Sequence, residues 1–255
     1  MKIGRIWRAL TFAVVFVGST PALAQAIQNG PISSQTAAFD NTITSNGGSV
    51  TLDTLLGLSA GSSWMRTGYT ITSTNGDARP IDTGYMPVGT NSAGAATGGE
   101  AIGINPGSPT QLSGLTFTFD NPINAFGLEV GDWATCCFPS SLYISFDGGA
   151  TRLVATANGS NDNPGIPAGE GFLNFVGAID SSSTFSTINF YGDGIGEYLV
   201  AGGTIRYGLV DIGSVPDPSA VPEPATWAML LMGFGLVGGT MRNARRRHKL
   251  SASYA

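Results

Sequence analysis

The chain has 255 residues, with 12 basic and 17 acidic side chains and a formal net charge of −5. This length suits one sizeable domain once the two ends are set aside. Most basic residues lie at the ends, so residues 25–220 contain four arginines, no lysine and nearly all of the acidic residues. Such an acidic segment repels phosphate backbones, which argues against nucleic acid as a partner.

Residues 1–24 have the order of a secretory signal peptide. A positively charged start precedes an apolar stretch over residues 9–18 that is too short for a stable membrane anchor. Ala22 and Ala24 then give the small-x-small cleavage pattern. The sequence therefore predicts export through the Sec translocon and a mature chain that begins at Gln25. An uncleaved N-terminal anchor is the alternative.

The composition of residues 25–214 predicts an all-β domain. Gly, Ser, Thr and Asn are abundant, and short runs of β-branched and aromatic residues are separated by Gly, Pro and Asn. We predict about nine to eleven strands in an antiparallel β-sandwich or jelly roll. No repeat of fixed period is present, which argues against a solenoid.

The first half predicts four strands among irregular segments. Residues 25–36 are polar and predict a loose segment, and residues 77–107 predict a long surface excursion. The turn signal Asn46-Gly47-Gly48 joins the first two predicted strands. The predicted strands are T-I-T at 42–44, S-V-T-L-D at 49–53, the alternating run at 64–73 and a short run near 100–104.

The second half has clearer strand signals at spacings near ten residues. Asp120-Asn121-Pro122 and Asp147-Gly148-Gly149 are turn signals, the second of which predicts a hairpin. The predicted strands lie at 115–119, 125–130, 142–146, 151–156, 172–179, 185–191 and 204–212.

The C-terminal segment has three parts in a fixed order after a proline-rich linker at 215–220. Val221-Pro222-Glu223-Pro224 is extended because each proline fixes its own φ and restricts the residue before it. Residues 225–241 carry no charge and would span about 25 Å as a transmembrane helix. A basic cluster follows, which places this end in the cytoplasm, and residues 250–255 are a short tail. The cluster consists of Arg242, Arg245, Arg246, Arg247 and Lys249.

This order over residues 221–249 resembles the PEP-CTERM sorting signal of Gram-negative bacteria, also labelled the ice-binding protein C-terminal domain. The matching parts are Pro222-Glu223-Pro224, the apolar run and the arginine cluster. The resemblance implies that the membrane enzyme exosortase processes the chain. The protein would be anchored in the inner membrane before processing and then reach the cell surface or extracellular matrix. An ordinary C-terminal membrane anchor is the alternative.

A second resemblance concerns the body of the chain. Residues 115–212 resemble exported PEP-CTERM proteins with a carbohydrate-module-like β-sandwich, which implies a fold more than an activity. Ice binding, suggested by the domain label, would need flat rows of Thr-x-Thr at a fixed period. The T-I-T triplets at 42–44 and 70–72 are too few for such rows.

The single histidine, His248, lies in the basic tail. The exported part therefore has no Ser-His-Asp or Cys-His catalytic arrangement and no histidine-ligated zinc or copper site. A glycosidase that uses a carboxylate pair stays open, although we expect a protein that is not an enzyme. The carboxylate candidates are Glu129, Asp132, Glu170, Asp193 and Glu197.

Cys136 and Cys137 are adjacent and so close no long loop. In an oxidising compartment they form a vicinal disulfide, pair with another chain or remain thiols. Together with Trp133 and Phe138 they predict an apolar loop tip that contacts a ligand, or a loop folded over the edge of the core.

Several aromatic residues would stack on sugar rings if they are exposed. Trp133 is the main candidate, and the others are Trp64, Tyr69, Tyr85 and Tyr143.

Oxygen-bearing side chains in glycine-rich loops suggest structural calcium. The candidate ligands are Asn158, Asp162 and Asp193. The resemblance to carbohydrate-module-like sandwiches adds Asp211, which lies near the last predicted strand, where such modules often hold a structural calcium. Their spacing matches no EF-hand, and ordinary turns have the same composition.

We expect an exported, non-enzymatic binding or adhesive module, with extracellular polysaccharide as the leading ligand. A purely structural matrix or biofilm protein without a small ligand is one alternative. A carboxylate-dependent glycan hydrolase is the other.

Overall fold

The computed structural model describes residues 26–83, 99–104, 113–193 and 198–215, together with Met232 and Phe234. In these residues the protein is mostly β, with two antiparallel sheets and two α-helices. The predicted antiparallel β-fold is confirmed. The predicted signal peptide, Tyr85, Glu197 and nearly all of the C-terminal segment lie outside the described residues.

One sheet has seven strands. They are β1 Ala26–Gly30, β2 Ser49–Thr54, β5 Ile81–Asp82, β6 Ala101–Ile104, β8 Ala125–Gly131, β11 Leu173–Ile179 and β13 Leu199–Leu209. The order is β1-β11-β8-β13-β6-β5, and β2 also pairs with β13.

The other sheet has six strands. They are β3 Ser63–Arg66, β4 Tyr69–Ser73, β7 Ser113–Ile123, β9 Ser140–Phe146, β10 Arg152–Ala157 and β12 Phe185–Gly192. The order is β10-β9-β12-β7-β4-β3. The predicted hairpin turn between β9 and β10 is present, with Asp147 and Gly148 at φ 48° and 69°.

The two sheets share one hydrophobic core. Alternate residues of each sheet point inward, as expected from the period of two along a strand. Phe117 of the six-stranded sheet lies 4.9 Å from Phe126 of the seven-stranded sheet, measured between ring centroids. Phe119 lies 4.9 Å from Tyr207 across the same space. This packing gives the molecule its sandwich architecture.

An α-helix, α1 Ile32–Ser45, covers the outer face of the seven-stranded sheet. Its buried residues are Ile32, Thr36, Phe39 and Ile43. These residues recur at steps of four, three and four, which places them on one face of a helix. The ring of Phe39 packs 5.4 Å from that of Phe175.

The predicted strand at 42–44 is wrong, because these residues form the last turn of α1. The predicted loose segment at 25–36 is also wrong, because it contains β1 and the start of the helix. Locally, the β-branched T-I-T favours a strand. The burial of one helical face against the sheet outweighs that local preference.

Two further elements differ from prediction. The run at 64–73 is a hairpin of β3 and β4 that turns at Gly68, where φ is 87°. The predicted turn at 120–122 lies within β7, where the register with β12 shifts and forms a bulge. The described residues contain thirteen strands rather than the nine to eleven predicted, because the run at 64–73 forms two strands and because β1 and β5 were not predicted. A 3-10 turn at Ser160–Asp162 and a short helix, α2 Gly165–Ala168, lie between β10 and β11.

Candidate functional site

Glu129, a candidate carboxylate, is completely buried on the outer side of the seven-stranded sheet. Its carboxylate accepts hydrogen bonds from the backbone N–H and the hydroxyl of Thr204. Arg206 Nη1 lies 3.4 Å from Glu129 Oε1. Burial raises the pKa of Glu129 to about 7, although the Thr204 hydrogen bonds and the charge of Arg206 act in the opposite direction.

The same arginine connects this carboxylate to the helix that covers it. Arg206 Nε lies 3.3 Å from Asp40 Oδ1 of α1, and Arg206 Nη1 donates to Thr204 Oγ1 at 2.7 Å. Glu129, Arg206 and Asp40 thus form a charged cluster between the sheet and α1. Glu129 and Arg206 are buried and Asp40 is partly exposed, so the cluster links α1 to the sheet and leaves the Glu129 carboxylate inaccessible to a substrate.

The other described carboxylate candidates serve separate structural contacts. The two carboxylate oxygens of Glu170 accept hydrogen bonds from the backbone N–H groups of Ile32 and Ser33, at 2.7 and 3.1 Å. These N–H groups lie at the start of α1 and have no partner within the helix. These bonds cap the helix and complement its dipole.

Asp193 accepts the N–H of Ser141 at 2.6 Å and the hydroxyl of Tyr143 at 2.9 Å. Its hydrogen bond to Tyr143 raises the pKa of that tyrosine. Asp132 lies in the loop after β8 at φ 64°, and its N–H donates to the carbonyl of Phe172.

Trp133 is completely buried and packs in the shared core. Its carbonyl accepts a hydrogen bond from Asn163 Nδ2 at 2.8 Å. A buried indole has no face for a sugar ring, so the prediction that Trp133 contacts a ligand is wrong. It anchors the β8–β9 loop instead.

The two cysteines of this loop, Cys136 and Cys137, are joined in a vicinal disulfide. Both are exposed, as is Phe138, which keeps 41% of its surface accessible. The loop therefore combines the two arrangements considered from the sequence. The tryptophan folds over the core edge, and the disulfide lies at the surface.

The predicted calcium ligands occupy different contacts. The N–H of Asn158 donates to Asp162 Oδ2 at 2.7 Å, which closes a local turn. Asp193 binds Ser141 and Tyr143, and Asp211 lies beside Gly47 just after α1. Within the described part of the chain, no three acidic, histidine or cysteine side chains group as a metal site would require. Calcium stays a prediction.

The outer face of the six-stranded sheet is an extended polar surface, here called the hydroxyl face. Pairing in register places its side chains in three rows. The first row is Thr70-Thr118-Thr187, the second Thr72-Thr116-Asn189-Ser145, and the third Tyr191-Tyr143-Leu153. Neighbours in a row lie about 4.8 Å apart, and positions two residues apart on one strand about 6.8 Å apart.

None of these side chains is charged, and several are already ordered by one another. Thr116 donates to Asn189 Oδ1 at 2.6 Å. The rings of Tyr143 and Tyr191 stack with centroids 5.2 Å apart. Both α-helices pack against the other sheet. Ser145 and Tyr191 are buried, whereas the other side chains of the three rows are partly or fully exposed, so the hydroxyl face presents mainly threonine hydroxyls, the Asn189 amide and the Tyr143 phenol to solvent.

Of this surface, sequence reasoning identified only Tyr143 as a sugar-stacking candidate. The sequence signal that could have located this surface is a second triplet, T-F-T at 116–118, which alternates in the same way as T-I-T at 70–72. The two triplets become adjacent only through strand pairing.

Trp64, another aromatic candidate, is buried, and its Nε1 donates to the carbonyl of Ser59 at 2.8 Å. Tyr69 is buried as well.

Comparison with known families identifies the C-terminal segment. Residues 220–247 match the PEP-CTERM protein-sorting motif, which confirms the resemblance found from Pro222-Glu223-Pro224 and the residues after it. The motif implies an exported protein that exosortase processes. In the described part of the chain no helix is both long and apolar enough to cross a membrane. No curated protein matches the chain.

Proposed function

We propose, from the PEP-CTERM protein-sorting motif at residues 220–247, that this protein acts at the cell surface or in the extracellular matrix. In this proposal the Sec translocon exports the chain and the helix at 225–241 anchors it in the inner membrane. Exosortase then processes it near Pro222-Glu223-Pro224. The β-sandwich is a non-enzymatic module that binds extracellular polysaccharide.

The hydroxyl face is the observation that supports polysaccharide as the ligand. Sugar hydroxyls exchange hydrogen bonds with threonine, serine and asparagine side chains. The apolar C–H face of a sugar ring packs on an aromatic ring such as Tyr143. The three rows contain no charged side chain, and the Asp193 carboxylate beside Tyr143 repels anions, so the face suits a neutral polysaccharide better than an anionic one. An extended chain also matches an array that crosses several strands.

The hydrolase alternative receives no support from the carboxylate candidates Glu129, Glu170 and Asp193. Glycoside hydrolysis needs two carboxyl groups about 5 to 10 Å apart on either side of an open groove. Glu129 is enclosed beneath α1, Glu170 caps that helix, and Asp193 holds Ser141 and Tyr143. These contacts favour the non-enzymatic proposal.

The threonine array also favours a second candidate, an ice surface. Five of the six positions in the first two rows on β4, β7 and β12 are threonines, and they lie on a single sheet face. The stacked tyrosines beside them favour the glycan. Thermal hysteresis of the purified protein distinguishes the two, because only a protein that binds ice lowers the freezing point of its solution without shifting the melting point.

Glycan-array binding of the full chain in a detergent without sugar headgroups tests the proposal, with and without calcium. We expect a neutral polysaccharide to bind. The triple variant Thr70→Val, Thr118→Val and Thr187→Val keeps side-chain shape but removes a row of hydroxyls, and should abolish that signal. Thr51→Val, on the exposed part of β2, is the control. A flat array in both conditions would contradict polysaccharide binding.

Sorting has its own test. Replacing Glu223 or Pro224 with alanine should leave unprocessed protein in the inner membrane, detected by immunoblot of membrane fractions. A control substitution in the linker at Ser219 should be processed normally. Normal processing of the Glu223 and Pro224 variants would refute the sorting role.

A further inference from the structure

A cleft of about 220 Å³ lies at one end of the sandwich, outside the hydroxyl face. It opens where the turn between β9 and β10 meets the loop between β11 and β12. Its apolar side is formed by Phe146 and Phe185, whose ring centroids are 4.6 Å apart. The volume is below the range of about 300 to 1,000 Å³ usual for drug-sized ligands, which limits the occupant to a small molecule.

Asp147 presents a fixed acceptor to this cleft. Its Oδ1 accepts the N–H groups of Ser186 and Thr187 at 2.9 and 2.8 Å. Its Oδ2 has no partner among the described residues. The two backbone bonds therefore orient the carboxylate and leave one oxygen available to a ligand hydroxyl.

Asp180, from the loop between β11 and β12, also lines the cleft and is held by hydrogen bonds in the same way. Its Oδ1 accepts the N–H of Ser182 at 2.8 Å, and its Oδ2 accepts the hydroxyl of Ser183 at 3.1 Å. Backbone and hydroxyl bonds fix this loop before any ligand arrives, which lowers the ordering cost of binding.

Arg152 supplies the donors. It is exposed at the start of β10, lines the cleft and forms no ion pair or hydrogen bond with the described residues. Its guanidinium carries five N–H donors in a planar fork. The cleft thus combines an apolar wall, oriented acceptors and free donors.

We propose that this cleft binds one pyranose ring, the terminal unit of a neutral polysaccharide. The proposal rests on the proposed function and adds a second site that recognises the end of the chain. The cleft contains two carboxylates, Asp147 and Asp180, and one guanidinium, Arg152, so its negative net charge disfavours an anionic sugar. The cleft adjoins the hydroxyl face, because the N–H of Asp147 donates to the carbonyl of Thr187, which belongs to the first row.

Ligand-observed saturation-transfer NMR on the full chain in phosphocholine detergent tests this site. The probes are the methyl pyranosides of glucose, galactose and mannose. Arg152→Ala should weaken binding of the recognised pyranoside by about tenfold, the effect of losing a hydrogen bond from a charged donor. Asp147→Asn, which retains an oxygen for the two backbone N–H groups, should weaken it as well.

Leu52→Ala is the control, because Leu52 is an exposed residue of β2 in the other sheet and belongs to neither the cleft nor the hydroxyl face. It should leave pyranoside binding within about twofold of the parent. Polysaccharide binding with no pyranoside signal, or a signal unchanged by Arg152→Ala, would overturn the cleft proposal and leave the proposed function intact. Pyranoside binding that depends on Arg152 beside a flat glycan array would support the cleft and contradict the hydroxyl face. Silence in both assays would contradict both.

Discussion

The two sheets of this sandwich share a core but differ on their outer faces. The seven-stranded sheet is covered by α1, and its outer side contains the buried Glu129, Arg206 and Asp40 cluster. The six-stranded sheet carries an uncharged array of hydroxyl, amide and phenol groups, and neither α-helix of the described residues packs on it. The covered face contributes to stability, whereas the hydroxyl face is the surface that we propose for the ligand.

This difference separates residues that carry stability from residues that carry binding. Substitutions beneath α1 should lower the free energy of unfolding and leave binding unchanged in molecules that remain folded. Substitutions on the hydroxyl face should have the opposite effect.

Phe39→Ala removes the largest side chain that α1 buries against the seven-stranded sheet. We expect the free energy of unfolding to fall by about 3 to 5 kcal/mol, from lost burial and the cavity left behind. Urea denaturation followed by circular dichroism measures this change. Thr44→Ala, at an exposed position on the same helix, is the control and should change stability by less than about 0.5 kcal/mol. Equal effects of the two variants would contradict the role of α1 as a cover.

Glu129 makes stability depend on pH. Its pKa is raised to about 7 in the folded protein from an ordinary value of 4.5, so the folded state keeps a proton that the unfolded state releases between these values. The contribution of Glu129 to stability is therefore fully present below pH 4.5 and declines as the pH rises to about 7. The loss is on the order of 3 kcal/mol across that window.

Glu129→Gln is neutral at every pH and should flatten this decline. The measurement is the difference in unfolding free energy between parent and variant at several pH values from 4.5 to 7, which cancels the other titrating groups. A difference that does not change with pH would show that Glu129 has the same pKa in the folded and unfolded states.

Glu170→Gln weakens the cap of α1. The amide offers one oxygen where the carboxylate offers two to Ile32 and Ser33, and it removes the charge that complements the helix dipole. We expect a loss of about 1 kcal/mol, measured by urea denaturation. Asp77→Asn, an exposed charge change in a turn, should have no measurable effect, and an equal loss there would indicate a general charge effect.

Thr118→Val should give the smallest change in stability. Thr118 is exposed on the hydroxyl face, and valine keeps the β-branched shape that a strand favours. The free energy of unfolding should stay within about 0.5 kcal/mol of the parent. A loss above about 2 kcal/mol would mean that this face contributes to stability, which would remove the contrast between the two sheets.

The sequence predicts the second half of the fold well because its turns are encoded locally. Asp147-Gly148-Gly149 specifies a hairpin, and β8, β9, β11 and β12 lie within a few residues of their predicted positions. Helix α1 was not predicted, although Ile32, Thr36, Phe39 and Ile43 recur at helical spacing. The β-branched T-I-T at the end of this segment is typical of a strand, and this local preference led to the predicted strand although the apolar residues recur at helical spacing.

The candidate site was harder to predict because it depends on contacts between distant residues. Trp133 has the local sequence of an exposed loop tip, yet the core buries it completely. The hydroxyl face exists only because residues 70–72, 116–118 and 187–189 pair in register. The cleft likewise joins Arg152 to a loop that follows a different strand. The sorting motif at residues 220–247 was recognisable because its three parts are contiguous in sequence.

The most direct test of this account measures polysaccharide affinity and unfolding free energy together for three forms of the full chain. These are the parent, the Thr70→Val, Thr118→Val and Thr187→Val triple variant, and Phe39→Ala at a temperature where it remains folded. We expect the triple variant to lose the polysaccharide while keeping its stability, and Phe39→Ala to lose stability while keeping the polysaccharide. Undiminished binding by the triple variant would contradict the assignment of the hydroxyl face as the binding surface.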